Sequence, residues 1–125
     1  FDNYTYSNLF FKLYGHKFND NYYLITREGD TFKALGKEIE ISWRKLAKYN
    51  ERDKNDVLRR GEVIYLKKKR KKAPKQYKNR PHIVRNGESM YTISQKYGIR
   101  LKYLYKMNNF DVDHQIKIGD RIRIR

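Results

Sequence analysis

Cysteine is absent from the 125-residue chain. That one absence removes disulfide staples, zinc–thiolate sites and a thiol nucleophile, so stability has to come from packing. Acidic residues are scarce beside basic ones, 14 Asp and Glu against 30 Lys and Arg, which leaves a formal charge of +16. Long apolar runs are missing as well: nothing approaches the roughly 20 residues that a bilayer-crossing helix needs. The first eleven residues are rich in Tyr and Asn and carry no basic start, so neither a membrane span nor an intact signal peptide is read from them. Because it opens at Phe1 rather than Met, the chain is read as a processed protein or a fragment, with any signal sequence or catalytic domain lying upstream. What the sequence does have is aromatic and apolar weight. Twelve Tyr, six Phe and one Trp, with 38% hydrophobic residues overall, exceed what a disordered polyelectrolyte carries. The expectation is a folded, very basic protein of one ordinary domain or two small ones.

The second alternative is favoured by an internal repeat. Ile25, Arg27, Gly29, Ile41, Leu46, Lys48, Asn50, Gly61 and Ile64 recur as Ile83, Arg85, Gly87, Ile99, Leu104, Lys106, Asn108, Gly119 and Ile122, at a constant offset of 58 residues. No gap is needed to hold that register. Between the copies, Lys67 to Pro81 has no acid and contains both prolines, which predicts an extended, self-repelling linker. The chain therefore divides into an aromatic N-terminal segment (1–21), a first copy (22–66), a basic linker (67–80) and a second copy (81–125). The N-terminal segment, with Leu9, Phe10 and Phe11 followed by His16 to Asp20, is read as an extra hairpin strand or the tail of an upstream domain.

Each copy predicts the order strand, helix, helix, strand. In the second, Pro81 to Arg85 is a strand, Ser89 is an N-cap, and Met90, Ile93 and Tyr97 share a helical face. Gly98 suits the left-handed position that ends a helix. Leu101, Leu104 and Met107 stripe a second helix over about Arg100 to Asn108, and Arg121 to Arg125 alternates as a closing strand. In the first copy the strand is Tyr22 to Thr26. Thr31 caps a helix facing inward through Phe32, Leu35 and Ile39, Ser42 caps Trp43 to Tyr49, and Val63 to Leu66 closes the unit. Two strands pairing over two helices give an α+β unit of about 45 residues with a small core.

These residues resemble the lysin motif (LysM), a βααβ module. The match is carried in the second copy by His82, Val84, the run Gly87-Glu88-Ser89-Met90, Ile93, Tyr97-Gly98-Ile99, Leu104, Met107-Asn108, Ile116, Gly119-Asp120, Ile122 and Ile124. The first copy keeps Gly29-Asp30-Thr31-Phe32, Leu46, Tyr49-Asn50, Leu58, Gly61-Glu62, Ile64 and Leu66. It departs at Glu40, where the family favours Gly or Asn, and at Thr26, where an apolar strand residue is usual. The resemblance implies binding of N-acetylglucosamine (GlcNAc)-containing glycans such as peptidoglycan and chitin-type oligomers, in a shallow groove between the first strand–helix loop and the loop after the second helix. In the second copy that places Gly87, Glu88, Ser89 and Met90 opposite Asn109, Phe110, Asp111 and Val112. In the first it places Gly29, Asp30, Thr31 and Phe32 opposite Glu51, Arg52, Asp53 and Lys54. It also implies an extracytoplasmic setting (periplasm, cell envelope or secreted) and an appended role in a larger bacterial cell-wall hydrolase such as a glucosaminidase, muramidase or amidase.

Other signals are weaker. Asn50 and Asn108 read as helix caps, and Trp43, Tyr103 and Tyr105 as partly buried helix aromatics, whereas Phe110, in a loop, is a stacking candidate for a sugar ring. His16, His82 and His114 with scattered carboxylates form no catalytic or metal-ligand spacing, so the fragment is read as non-enzymatic, with no metal and no cofactor. The Lys67–Lys72 run supports contact with an anionic surface. A basic nucleic-acid-binding protein using that patch is the alternative function, ranked behind the glycan reading.

Overall fold

The computed structural model describes residues 15–125; Leu9, Phe10 and Phe11, and with them most of the N-terminal expectation, lie outside the described residues. The described residues fold as two units divided between Lys69 and Arg70. In the first, β1 (His16–Phe18) and β2 (Asn21–Ile25) form an antiparallel hairpin, followed by α1 (Phe32–Ile39), α2 (Trp43–Tyr49) and β3 (Val63–Tyr65). The sheet order is β1-β2-β3, with Leu24 opposite Ile64 and His16 opposite Tyr23. His16 to Phe18 is thus an extra strand on the edge of the βααβ unit. The second unit carries β4 (His82–Ile83), α3 (Met90–Tyr97), α4 (Leu101–Met107) and β5 (Arg121–Ile122), with His82 opposite Ile122. Its strands are shorter than the alternation predicts, although Ile124 beyond β5 is still buried.

The repeat in sequence is a repeat in backbone bonding. The Thr26 amide donates to Glu62 O at 2.9 Å and that of Val84 to Asp120 O at 2.9 Å. Gly61 N meets Thr26 O at 2.9 Å, and Gly119 N meets Val84 O at 2.8 Å. Helix starts follow the caps expected: Thr31 Oγ1 accepts from Ala34 N at 3.0 Å, Ser42 from Lys45 N at 3.5 Å, and Ser89 forms a capping box with Thr92. Leu24, Phe32, Leu35, Ile39, Leu46, Ala47, Leu58, Ile64 and Leu66 fill the first core; Met90, Ile93, Tyr97, Leu104, Ile122 and Ile124 repeat six of them in the second, which adds Ala73, Val84 and Ile99.

Both departures from the family pattern have local explanations. Thr26 is buried, but its hydroxyl donates to Arg59 O and accepts from Glu62 N at 2.7 Å, so no polar atom is stranded where Val84 stands in the other unit. Glu40 adopts φ 60°, the left-handed cap that Gly98 holds at 66°. A side chain there costs energy that glycine avoids. Glu40→Gly is expected to stabilise the first unit by about 0.5 kcal/mol after the added unfolded-chain entropy is subtracted. Urea denaturation measures it, and a less stable variant would contradict the strain.

Segment 67–80, expected as a free linker, is folded onto the units instead, and this corrects the charge-based reading. Asn21 takes Lys67 O and N with its side-chain amide at 2.9 and 3.1 Å, and the Lys69 side chain is fully buried in an ion pair with Glu51. In the second unit Arg70 bridges Ile99, and Ala73 is a core residue whose N–H donates to Ile124 O at 2.8 Å. Tyr77, in the 3₁₀ turn Lys75–Tyr77, packs edge-on against Tyr97 at 5.3 Å. Self-repulsion is outweighed because specific backbone groups of this run find partners far away in sequence.

Candidate functional site

The turn entering each first helix is built by the same device. Gly29 and Gly87 take φ near 80°, and a carboxylate at the next residue accepts from the amide three positions back: Asp30 from Arg27 N at 2.7 Å, Glu88 from Arg85 N at 2.6 Å. Asp30 is held further by the Arg27 guanidinium, which also pairs with Glu38 at 2.7 Å; hydrogen bonds to Glu38 and then Asp30 raise the Arg27 pKa. The carboxylates of Asp30 and Glu88 therefore serve the turn. Thr31 and Ser89 are exposed at the helix starts, with their side-chain oxygens occupied as caps.

Phe32 and Met90 are core residues, 0% and 4% exposed, so their side chains cannot form a groove wall. Their backbone N–H groups sit in the first helical turn, where the helix itself provides no acceptor. That end of each helix carries partial positive charge, suited to carbonyl or hydroxyl oxygen.

Because the chain reverses at 40–42 and at 98–100, the end of the second helix returns to the beginning of the first. The loops after α2 and α4 are the ones the LysM resemblance sets opposite the turns just described. In the second unit Asn109 takes φ 55°, and Phe110 N caps Tyr105 O at 3.0 Å. The Phe110 ring stacks on His114 at 3.6 Å and packs on the core, so one face is already covered. Asp111 accepts from Asp113 N at 3.0 Å, and Val112 stands 80% exposed. In the first unit the same positions are charged. Glu51 is bound to Lys69, Arg52 pairs with Asp56 at 2.8 Å and Glu62 at 2.9 Å, and Asp53 accepts from Asn55 N at 2.8 Å. Positions 52 and 56 are held by an ion pair where 110 and 114 are held by stacked rings. The candidate residues of the first unit are thus ion-paired, while those of the second include an exposed apolar side chain at Val112.

The second unit also holds a buried group that the sequence reading did not assemble. His82 is buried, with Nδ1 2.6 Å from Tyr97 Oη and Nε2 2.8 Å from Glu88 Oε1. Burial pushes the Glu88 carboxyl up, but hydrogen bonds from His82 and the Arg85 amide, with the fields of His82 and Lys96, hold it below its ordinary range. Leu24, Asp30 and Ile39 occupy these three places in the first unit, so the repeat alignment itself contained the signal: a polar trio replacing two apolar residues.

The LysM domain family model matches residues 25–67 and 82–125. No curated protein matches the chain. Among solved structures, the chain is similar to the Bacillus cereus spore cortex-lytic enzyme SleL, with 22% identity over 82% of this chain and a TM-score of 0.35. The Bacillus megaterium QM B1551 enzyme SleL gives 20% identity over the same share and a TM-score of 0.33. This chain spans 22% of the length of each of them.

Proposed function

Starting from the fact that this chain belongs to the LysM domain family, whose members are non-catalytic modules for GlcNAc-containing glycans such as peptidoglycan, we propose that both of its units bind such a chain in the grooves between the paired loops. The observation that supports the reading is the recurrence, in each unit, of a left-handed glycine turn leading into a capped helix start whose first N–H groups lack helical acceptors, the place the family pattern sets opposite the loop after the second helix. An N-acetyl group asks for an amide or N–H partner and an apolar wall, and in the second unit Met90 N–H and Val112 supply both kinds of contact. The first unit presents ion pairs at Glu51 and Arg52 instead, and is the weaker of the two. The chain serves to fix a larger cell-wall protein, such as a peptidoglycan hydrolase, outside the cytoplasm; among the described residues no helix is long and apolar enough to cross a membrane.

Contact with an anionic surface is part of this proposal, carried by side chains that remain outside the cores. Lys71, Arg100 and Lys102 all lie within 5.3 Å of the Tyr103 ring, and although desolvation opposes it, their charge lowers the Tyr103 pKa. The nucleic-acid alternative needs Lys67–Lys72 as an open polycation, whereas Lys69 is buried against Glu51.

Val112→Lys tests the second groove without disturbing the fold, since the residue is exposed. The expected result in titrations with soluble GlcNAc oligomers is a weakening of about fivefold, the loss of an apolar contact worth roughly 1 kcal/mol. Unchanged affinity would remove this groove from the reading. Retention on peptidoglycan should survive a salt series that releases DNA; parallel loss of both would favour diffuse charge.

A further inference from the structure

At the end of the β4–β5 pair opposite the 84–89 turn, the second unit contains a cavity of about 200 Å³. Its lining combines Tyr77, Pro81 and Ile124 with Asn79 and the three arginines Arg80, Arg123 and Arg125, and includes no Asp or Glu. The walls are fixed before any ligand arrives. Ala73 is held to the residues that follow β5 through both backbone groups, its N–H donating to Ile124 O and its carbonyl accepting from Arg125 Nη1 at 2.7 Å. The turn through Asn79, at φ 59°, closes with Arg80 N on Tyr77 O at 3.0 Å, and Tyr77 is braced by Tyr97.

The guanidinium groups are under-used. Among the described residues, that of Arg80 has no hydrogen-bond or ion-pair partner, and Arg123 spends its Nε on Arg125 O at 2.9 Å. Each guanidinium has five N–H donors in a planar fork, so the cleft faces its contents with more donors than the protein occupies. Three guanidinium groups lining one cleft outnumber the single carboxylate at Arg125 that Arg123 already meets, and an oxyanion among them converts their mutual repulsion into charge-assisted hydrogen bonds. A carboxylate has two oxygens for three forks, whereas a tetrahedral phosphate can meet all three. We propose that this cleft is a phosphate-binding site, separate from the glycan grooves, which takes inorganic phosphate or the phosphate group of an ester whose organic body rests on Tyr77 and Pro81.

The test is titration of the chain, at physiological salt, with inorganic phosphate, glycerol 1-phosphate and acetate, followed through backbone amide shifts. The expected result is saturable shifts at Tyr77 to Arg80 and Arg123 to Arg125 with either phosphate and much weaker ones with acetate. Tighter binding of glycerol 1-phosphate identifies an ester as the ligand, and tighter binding of the free ion identifies phosphate itself. Arg80→Gln and Arg123→Gln should each weaken phosphate about tenfold, the loss of one charge-assisted pair. Arg121→Gln, which removes the same charge from β5 outside the cleft, should change it less than twofold. Equal effects of Arg80→Gln and Arg121→Gln would reduce the binding to the general field of a +16 chain and overturn the site. Acetate binding as tightly as phosphate, or shifts scattered over the unit, would overturn it too. No glycan is present in this titration, so its outcome is independent of the grooves.

Discussion

Replacing Asn50 by alanine is expected to cost the first unit about 3 kcal/mol, because it strips hydrogen bonds from several buried backbone groups at once. Asn50 is fully buried at the end of α2. Its Nδ2 donates to Leu46 O and Tyr65 O, both at 2.8 Å, and its Oδ1 accepts from Tyr65 N at 2.6 Å. The side-chain amide therefore pairs with β3 as a neighbouring strand would, on the side of β3 that β2 does not cover. Asn108 does the same in the second unit, bonding Leu104 O, Arg123 O and Arg123 N at 2.8, 2.8 and 2.7 Å. For a unit of this size the Asn50→Ala loss corresponds to a fall in Tm of roughly 15 °C, readable by calorimetry. Asn50→Asp should be no better: it keeps the acceptor for Tyr65 N–H but points a carboxylate oxygen at two carbonyls. A helix-capping role alone predicts a loss of about 1 kcal/mol or less, and a shift that small would refute the strand-pairing account.

The second large effect concerns Glu51, whose carboxylate neutralises the buried Lys69 ammonium. Desolvation lowers the Lys69 pKa, opposed by the hydrogen bond and charge of Glu51. Glu51→Gln is expected to destabilise the first unit by about 2 kcal/mol at neutral pH, less than for a fully buried pair because Glu51 retains some water contact. Lys69→Met should stay within about 1 kcal/mol of the parent, since burying a methionine stem replaces an ionic group that gains little net stability. The double variant should then recover most of the loss of Glu51→Gln. The pH dependence has a definite sign. In Glu51→Gln the folded lysine gives up its proton at a pH below the unfolded value of 10.5, so between the two values the unfolded chain binds more protons and stability rises with pH. The deficit of that variant should accordingly shrink as pH approaches 10.5. Urea midpoints across that range measure it; a deficit constant with pH would mean that the Lys69 charge is not its source.

Among the described residues the gap-free offset of 58 placed the α-helices of both units, and the caps at Thr31, Ser42 and Ser89 placed the starts of three of them. These signals are legible because each depends on residues within one helical turn of one another. At the candidate site the sequence did not show which side chains are buried. Phe32 and Met90 are core, since the residue after an N-cap points inward here and a motif does not record which way its side chain faces. Glu88 and Asp30 proved to be fasteners of their own turns.

By itself the sequence determined a duplicated βααβ scaffold, its helix faces and its excess of positive charge, all through short-range periodicity and composition. Only the tertiary structure decided how the basic stretch 67–80 is divided between the units, that Asn50 and Asn108 stand in for strands, and that three arginines share one cleft. Those arrangements rest on partners 15 residues apart, as for Asn50 and Tyr65, or 52 apart, as for Ala73 and Arg125. The entropy of closing such loops is recovered only when the whole core forms, so no local pattern carries them.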